Sequence, residues 1–136
     1  MLNLRTLGIH EARCAIAEGV AQAQRRGLTM AFAVADHRGA PIACERMDGA
    51  PARTLTHALR KAFTAAEMGR DTARFGKDLQ DRRGGLDQWG NPNLTTLPGG
   101  CVVVLDGEVV GAVACGGAPT ELDVEIARAM CAAALA

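Results

Sequence analysis

The stretch CVVVLDGEVVGAVA, residues 101–114, decides the fold. Its two apolar runs flank Asp106-Gly107, a dipeptide that strongly favours a two-residue β-hairpin turn. An earlier segment has the same plan, because apolar runs at 31–35 and 41–44 flank the polar residues 36–39. Each segment predicts a hairpin, and two hairpins indicate an antiparallel sheet.

Helical patterns surround both hairpins. Apolar residues recur at steps of three and four between Ile9 and Ala23, and Gly27 is suited to end that helix. A second helix is expected from near Pro51 or Thr54 to about residue 69. These patterns predict two packed helices, each with one apolar face.

Two shorter patterns complete the chain. Asp71 and Thr72 are suited to cap a short helix, and Thr120 with Asp123 resembles a capping box before a last helix. Residues 81–98 are rich in glycine, asparagine and charge, which predicts a long loop. The order of elements predicts one α+β domain, residues 1–136, with helices packed on the sheet.

The amino-acid composition argues against several classes of function. Lysine plus arginine and aspartate plus glutamate both total 15, so the net charge is zero and general nucleic-acid binding is not expected. Aromatic residues make up 3% of the chain, which argues against stacking on bases. The near-zero charge favours association, so we expect a homo-oligomer.

The five cysteines contain no Cys-x-x-Cys pair, so we expect reduced thiols, no zinc site and a cytoplasmic protein. No signal peptide or membrane-spanning run is visible, and no membrane partner is expected.

Short blocks along the chain follow a family order. They are AVAD (33–36) with Gly39, RMDGA (46–50), KA and TA (61–62 and 64–65), LPGG (97–100), DGEVVGA (106–112), GG (116–117) and Asp123. With these blocks, the chain resembles the GlcG/HbpS family of haem-binding proteins and is similar to the PduO C-terminal domain. The resemblance implies a profilin-like α-β-α sandwich with a central antiparallel sheet, and dimers or larger assemblies.

The resemblance also implies two activities. Some family members bind haem, often at subunit contacts, and others resemble lyases that act on hydroxylamino-aromatic acids. This chain departs from the family pattern at Cys115, where serine is common, and at His57, where an apolar residue is usual. The strand after Gly100 also lacks the family's proline. Such changes are typical of a subfamily with its own substrate.

Charged side chains among small residues are candidates for substrate binding. Arg46 is suited to clamp a carboxylate beside Asp48, and the alternative is a local ion pair that fixes the loop. Lys61 lies among alanines, where desolvation would lower its pKa and make it an acid, base or anion anchor. Its alternative is a lysine whose stem packs while its ammonium reaches water.

Backbone and thiol groups add further candidates. Gly99 and Gly100 are suited to bring amides to a ligand oxygen, or simply to start a strand tightly. Cys115 precedes a glycine pair and a helix, so a lowered thiol pKa would make it a nucleophile. Its alternative is a small core residue.

Three side chains are candidates for a larger ligand. His10 and His57 are possible haem ligands, and His57 shares a helix face with Lys61, where it is suited to act as acid or base. His37 is expected in an exposed turn, and no histidines pair at metal spacing. Trp89 is suited to line a site for an aromatic or tetrapyrrole ligand, or to anchor its loop.

Three functions follow as hypotheses. The first is a cytoplasmic oligomer that binds haem or a related tetrapyrrole. The second is a cofactor-free lyase or isomerase acting on a small aromatic or carboxylated metabolite. The third is a structural module that binds a partner through residues 81–98.

Overall fold

A computed structural model describes all 136 residues. Four helices and four strands are joined by short turns, apart from one longer loop that contains a single 3₁₀ turn. In chain order they are α1 (Ile9–Arg25), β1 (Ala31–Asp36), β2 (Pro41–Arg46), α2 (Ala52–Met68), α3 (Thr72–Asp81), the 3₁₀ turn (Leu86–Trp89), β3 (Gly100–Leu105), β4 (Glu108–Gly116) and α4 (Thr120–Ala134).

The four strands form one antiparallel sheet in the order β2-β1-β4-β3. Both predicted hairpins are confirmed, and β1 and β4 pair at its centre. Asp106 and Gly107 both have positive φ, 51° and 79°, as a tight hairpin turn between right-twisted strands requires. The α+β class is therefore confirmed.

The sheet has two unlike faces. One face carries the larger side chains, including Phe32 and Val113, and packs against α1 and α4. The other face carries alanines, including Ala33 and Ala114, and packs against α2. Because alanine leaves little bulk between the layers, α2 lies close to the strands. The result is an α-β-α arrangement.

The predicted helix ends are confirmed, but two predicted side-chain caps are wrong. Asp71 occupies the N-cap position of α3 without a side-chain cap bond, because its Oδ1 accepts from the Val102 amide at 2.9 Å instead. Gly69 ends α2 in the left-handed conformation, with φ of 65°. The capping box at Thr120 is wrong, because Pro119 occupies the cap position and no side chain caps it. The Asp123 carboxylate instead accepts a bond from the Ala118 amide at 3.2 Å. No helix combines the length and apolar character needed to cross a membrane.

Candidate functional site

Lys61 is the buried cation of the fold. Its Nζ donates to the Cys115 carbonyl oxygen at 2.9 Å and to Asp123 Oδ2 at 3.2 Å. The Lys61 and Asp123 side chains are only 5% and 8% exposed. The ammonium therefore does not reach water, and the pair joins α2 to the first turn of α4.

Glycines make room for this lysine. A Cβ on Gly99 would lie 3.0 Å from Lys61 Nζ, and one on Gly100 would lie 2.5 Å from the Lys61 carbonyl oxygen. No real Cβ tolerates the second approach without a backbone shift. The Gly100 amide already donates to Thr72 Oγ1 at 3.0 Å. Gly100 consequently has no free amide for a ligand oxygen.

Asp123 completes the buried cluster. Burial raises the pKa of its carboxyl group, while Lys61 and the Ala118 amide act in the opposite direction. The desolvation of the carboxylate is the largest of these effects. The protein therefore stabilises the Asp123 carboxylate less well than water does, despite its bond to Lys61.

The predicted nucleophilic character of Cys115 is wrong. Its side chain is fully buried, and Sγ donates to the Asp123 carbonyl oxygen at 3.1 Å. Burial raises the pKa of this thiol well above its ordinary value, and the Asp123 charge adds to the shift. The lowered pKa expected from the nearby helix start does not occur, because desolvation of the thiolate outweighs it.

Arg46 is the last residue of β2 and Asp48 lies in the turn before α2, and both side chains are exposed. Arg46 Nη1 donates to the Ala50 carbonyl oxygen at 2.6 Å, which fixes the turn before α2. No ion pair links the two side chains, so that alternative is wrong. The rest of the guanidinium faces solvent.

The larger cavities on the surface have volumes of about 250 to 620 Å³. Trp89 is the one predicted site residue that lines any of them. It is 40% exposed and packs edge-to-face on Phe75, with ring centroids 5.6 Å apart. Neither Arg46 nor Lys61 lines any of these larger cavities.

His57 lies half-buried on α2, beside the end of β4. A Cβ placed on Gly116 would lie 3.9 Å from the His57 Cβ. His10 lies exposed on α1, which packs on the opposite face of the sheet from α2. The two candidate haem ligands are thus separated by the sheet and cannot share one site within a chain.

A groove between α1 and β2 is the most apolar of the larger cavities, with a volume of about 600 Å³. Its lining residues are Ile9, Arg13, Ile16, Ala17, Val20, Ala21 and Gln24 from α1, and Ala43, Cys44 and Glu45 from β2. We call this cavity the α1–β2 groove. Arg13 and Glu45 provide its charged groups.

His10 shares a stripe of α1 with two residues that line the α1–β2 groove. Counting from His10 along α1, Cys14, Ala17 and Ala21 follow at four, seven and eleven residues, which places all four on one helix stripe. Ala17 and Ala21 line the groove. The His10 ring has one polar contact, between Nε2 and Cys14 Sγ at 3.9 Å. Its imidazole is therefore free to bind a ligand.

The width of the apolar arc on α1 is a sequence signal for this groove that the periodicity analysis did not use. The apolar residues of α1 cover a wider arc than the core needs, because Ile9 is 48% exposed while Ile16 on the same helix is buried. A helix of this kind has a second apolar face.

The chain matches the family profile of the haem-degrading HbpS-like proteins over residues 7–132. It belongs to this family. The HbpS-like chain is 35% identical over 102 residues to protein GlcG of Escherichia coli K12, which covers 75% of each sequence. It is 30% identical over 105 residues to an uncharacterized 15.0 kDa protein of Citrobacter freundii, covering 76% of this chain and 74% of that protein.

Solved structures agree with the HbpS-like fold. A double mutant of HbpS from Streptomyces reticuli superposes with a TM-score of 0.87 at 30% identity, covering 97% of this chain and 89% of that one. A haem complex of PduOC superposes with a TM-score of 0.84 at 25% identity, covering 94% of each chain. The Klebsiella pneumoniae protein ORFY shares the fold, with a TM-score of 0.91 at 24% identity, covering 100% and 95%.

Proposed function

We propose that this HbpS-like protein binds haem or a related tetrapyrrole in the α1–β2 groove, with His10 as the iron ligand. The observation that carries the proposal is an apolar groove of about 600 Å³ whose α1 wall includes Ala17 and Ala21, on the same helix stripe as the exposed His10 imidazole. Family membership and the solved haem complex of a relative support it.

The residues of the groove fit the chemistry of a tetrapyrrole. The macrocycle is flat and apolar and carries carboxylates at one edge, while the groove offers aliphatic walls and one arginine, Arg13. An arginine is suited to hold a carboxylate by charge-assisted hydrogen bonds. A histidine imidazole is a common protein ligand of haem iron, and His10 has no strong partner to compete with iron.

A hemin titration followed by absorption in the Soret region tests this proposal. We expect a saturable shift for the unaltered protein and at least a tenfold loss of affinity for His10→Ala. The matched control is His57→Ala, because His57 lies on α2 and should leave binding unchanged. Absence of a saturable shift, or equal binding by His10→Ala, would contradict the proposal.

The proposal includes an oligomer in a reducing, cytoplasmic setting. All five cysteines are free thiols, and one of them, Cys44, is exposed. Exposed free thiols are typical of proteins kept in a reducing compartment.

The lyase or isomerase alternative remains a prediction with weaker support. It assigned proton transfer to Lys61 or His57, but the Lys61 ammonium is already bonded to Asp123 and the Cys115 carbonyl. Arg46 retains exposed guanidinium nitrogens for a carboxylate. Turnover of a hydroxylamino-aromatic acid that is lost in Arg46→Ala would favour this alternative.

A further inference from the structure

A small cavity lies beside the middle of α2, which packs on the face of the sheet opposite to α1. Its volume is about 250 Å³, compared with about 600 Å³ for the α1–β2 groove. We call this cavity the Arg60 cleft, and no residue lines both it and the groove. Its lining residues are Gly39 from the β1–β2 turn, Pro41 from the start of β2, Leu59, Arg60 and Phe63 from α2, and Asn93 from the long loop.

The walls of the Arg60 cleft are mostly apolar. Leu59 and Phe63 lie four residues apart on α2, so they share one side of the helix, and both are half-buried. A Cβ placed on Gly39 would lie 2.9 Å from the Phe63 ring, and Gly39 has φ of 87°. Only glycine combines this conformation with such close contact. The turn therefore fixes the ring, whose remaining surface gives the cleft a flat wall.

The long loop brings a polar side chain to the cleft. Thr64 Oγ1 accepts a bond from the Thr95 amide at 3.0 Å, which ties the loop to α2. Asn91 Oδ1 accepts from the Asn93 amide at 2.9 Å, which holds the backbone of Asn93 in place. The Asn93 side chain forms no hydrogen bond within the chain. Its carboxamide is therefore available to a ligand.

Arg60 is the charged group of the cleft, and its guanidinium has no partner. It is exposed, and it takes part in none of the ion pairs of the chain. The acid of the adjoining turn, Asp36, accepts bonds from the Arg38 and Ala40 amides at 2.8 and 3.0 Å. The Asp36 carboxylate is thus engaged within its own turn, and no acidic residue lines the cleft.

These groups together favour one class of ligand. A free guanidinium binds a carboxylate well, because its two parallel N–H groups match the two carboxylate oxygens. The Asn93 carboxamide is suited to donate a further bond to the same oxygens. Leu59 and the Phe63 ring are suited to contact an apolar body about the size of one ring, and aromatic pairs gain from offset or edge-to-face packing.

We infer that the Arg60 cleft binds a small carboxylate with a flat apolar body, of the aromatic monocarboxylate class. Its lining contains no histidine, lysine, cysteine or carboxylate, so it offers no group for proton transfer or nucleophilic attack, and the ligand is bound without being converted. The site is independent of the proposed haem site, because the two lie on opposite faces of the sheet. It also differs from the lyase alternative, in which Arg46 holds the carboxylate.

Calorimetric titration of the full-length protein with benzoate tests this site. We expect saturable binding of one benzoate for each chain. Benzyl alcohol keeps the ring without the charge, and acetate keeps the carboxylate without the ring, so each should bind about tenfold more weakly or worse. No saturable binding of benzoate, or equal affinity for benzoate and either of the other two compounds, overturns the inference.

Substitutions in the cleft locate the carboxylate. Arg60→Gln removes the cation and should weaken benzoate binding about tenfold or more. Asn93→Asp places a carboxylate in the cleft that repels the ligand and competes for Arg60, so we expect a similar loss. The matched control is Arg53→Gln, an exposed arginine of the same helix that does not line the cleft. It should leave affinity within about twofold. Equal loss in Arg53→Gln and Arg60→Gln, or no loss in Arg60→Gln, overturns the site.

Hemin titrations separate this site from the proposed haem site. Arg60→Gln should bind hemin as the unaltered protein does, and protein saturated with hemin should keep its affinity for benzoate. Competition between hemin and benzoate overturns a separate carboxylate site. Absence of hemin binding overturns the proposed function alone, while the benzoate titrations still decide whether the Arg60 cleft binds a carboxylate.

Discussion

At the residue scale, the Lys61–Asp123 pair shows why burial decides the role of a charged group. From the sequence, a lysine among alanines had two interpretations, a ligand anchor or a side chain that reaches water. Sequence periodicity places Lys61 on the buried face of α2 but cannot supply a partner 62 residues away. The partner explains how the charge is tolerated in the interior.

Removing the cation of this pair should destabilise the fold. Lys61→Met leaves the Asp123 carboxylate buried without its partner, and we expect the free energy of unfolding to fall by about 3–5 kcal/mol in urea titrations. The matched control is Lys77→Met, whose ion pair with Asp81 spans 3.7 Å at the exposed surface. That change should cost less than about 1 kcal/mol. Similar losses for both variants would contradict a structural role for the buried pair.

The raised pKa of Asp123 gives a pH dependence with a definite sign. The folded state holds this proton more tightly than the unfolded chain, whose ordinary aspartate pKa is 3.8. Its contribution to stability is therefore largest below that value and declines as pH rises toward the raised pKa. We expect the free energy of unfolding of the unaltered protein minus that of Asp123→Asn to fall over this range in urea titrations. A difference that rises with pH would show that the pKa is lowered instead.

At the element scale, turn chemistry made the hairpins predictable. Asp106-Gly107 identified the second hairpin because few residues adopt positive φ at both turn positions. Helix ends were predictable for a similar reason, as at Gly69. The predicted capping box at Thr120 does not form, because the Asp123 carboxylate accepts bonds from Lys61 and from the Ala118 amide instead. A local motif cannot reveal Lys61, which lies 62 residues away in the sequence.

Two glycine substitutions should separate backbone strain from close packing. Gly107 has φ of 79° and open space around it, so Gly107→Ala should cost about 1–2 kcal/mol from strain alone. A Cβ on Gly111 would lie 2.5 Å from the Ala35 carbonyl oxygen. Gly111→Ala should therefore cost about 3 kcal/mol or more, because the central strands must also move apart. Equal losses in thermal or urea unfolding would contradict this account of the sheet.

At the scale of the whole molecule, the sequence predicts the layers better than the site. Apolar periodicity and hairpin signals fix which elements form and which faces are buried. The α1–β2 groove depends on how far α1 lies from an edge strand, and no local pattern encodes that distance. His10 was named as a ligand candidate, but the sequence did not show that its helix forms one wall of a groove.

The most direct test of the account is a comparison of hemin affinity after filling each of two cavities. Ala17→Trp fills the α1–β2 groove, and Ala73→Trp makes the same change in a cavity of about 620 Å³ beside α3. We predict that Ala17→Trp lowers hemin affinity at least tenfold and that Ala73→Trp leaves it unchanged. Unchanged binding by Ala17→Trp, or loss of binding only in Ala73→Trp, would contradict the assignment of the α1–β2 groove as the haem site.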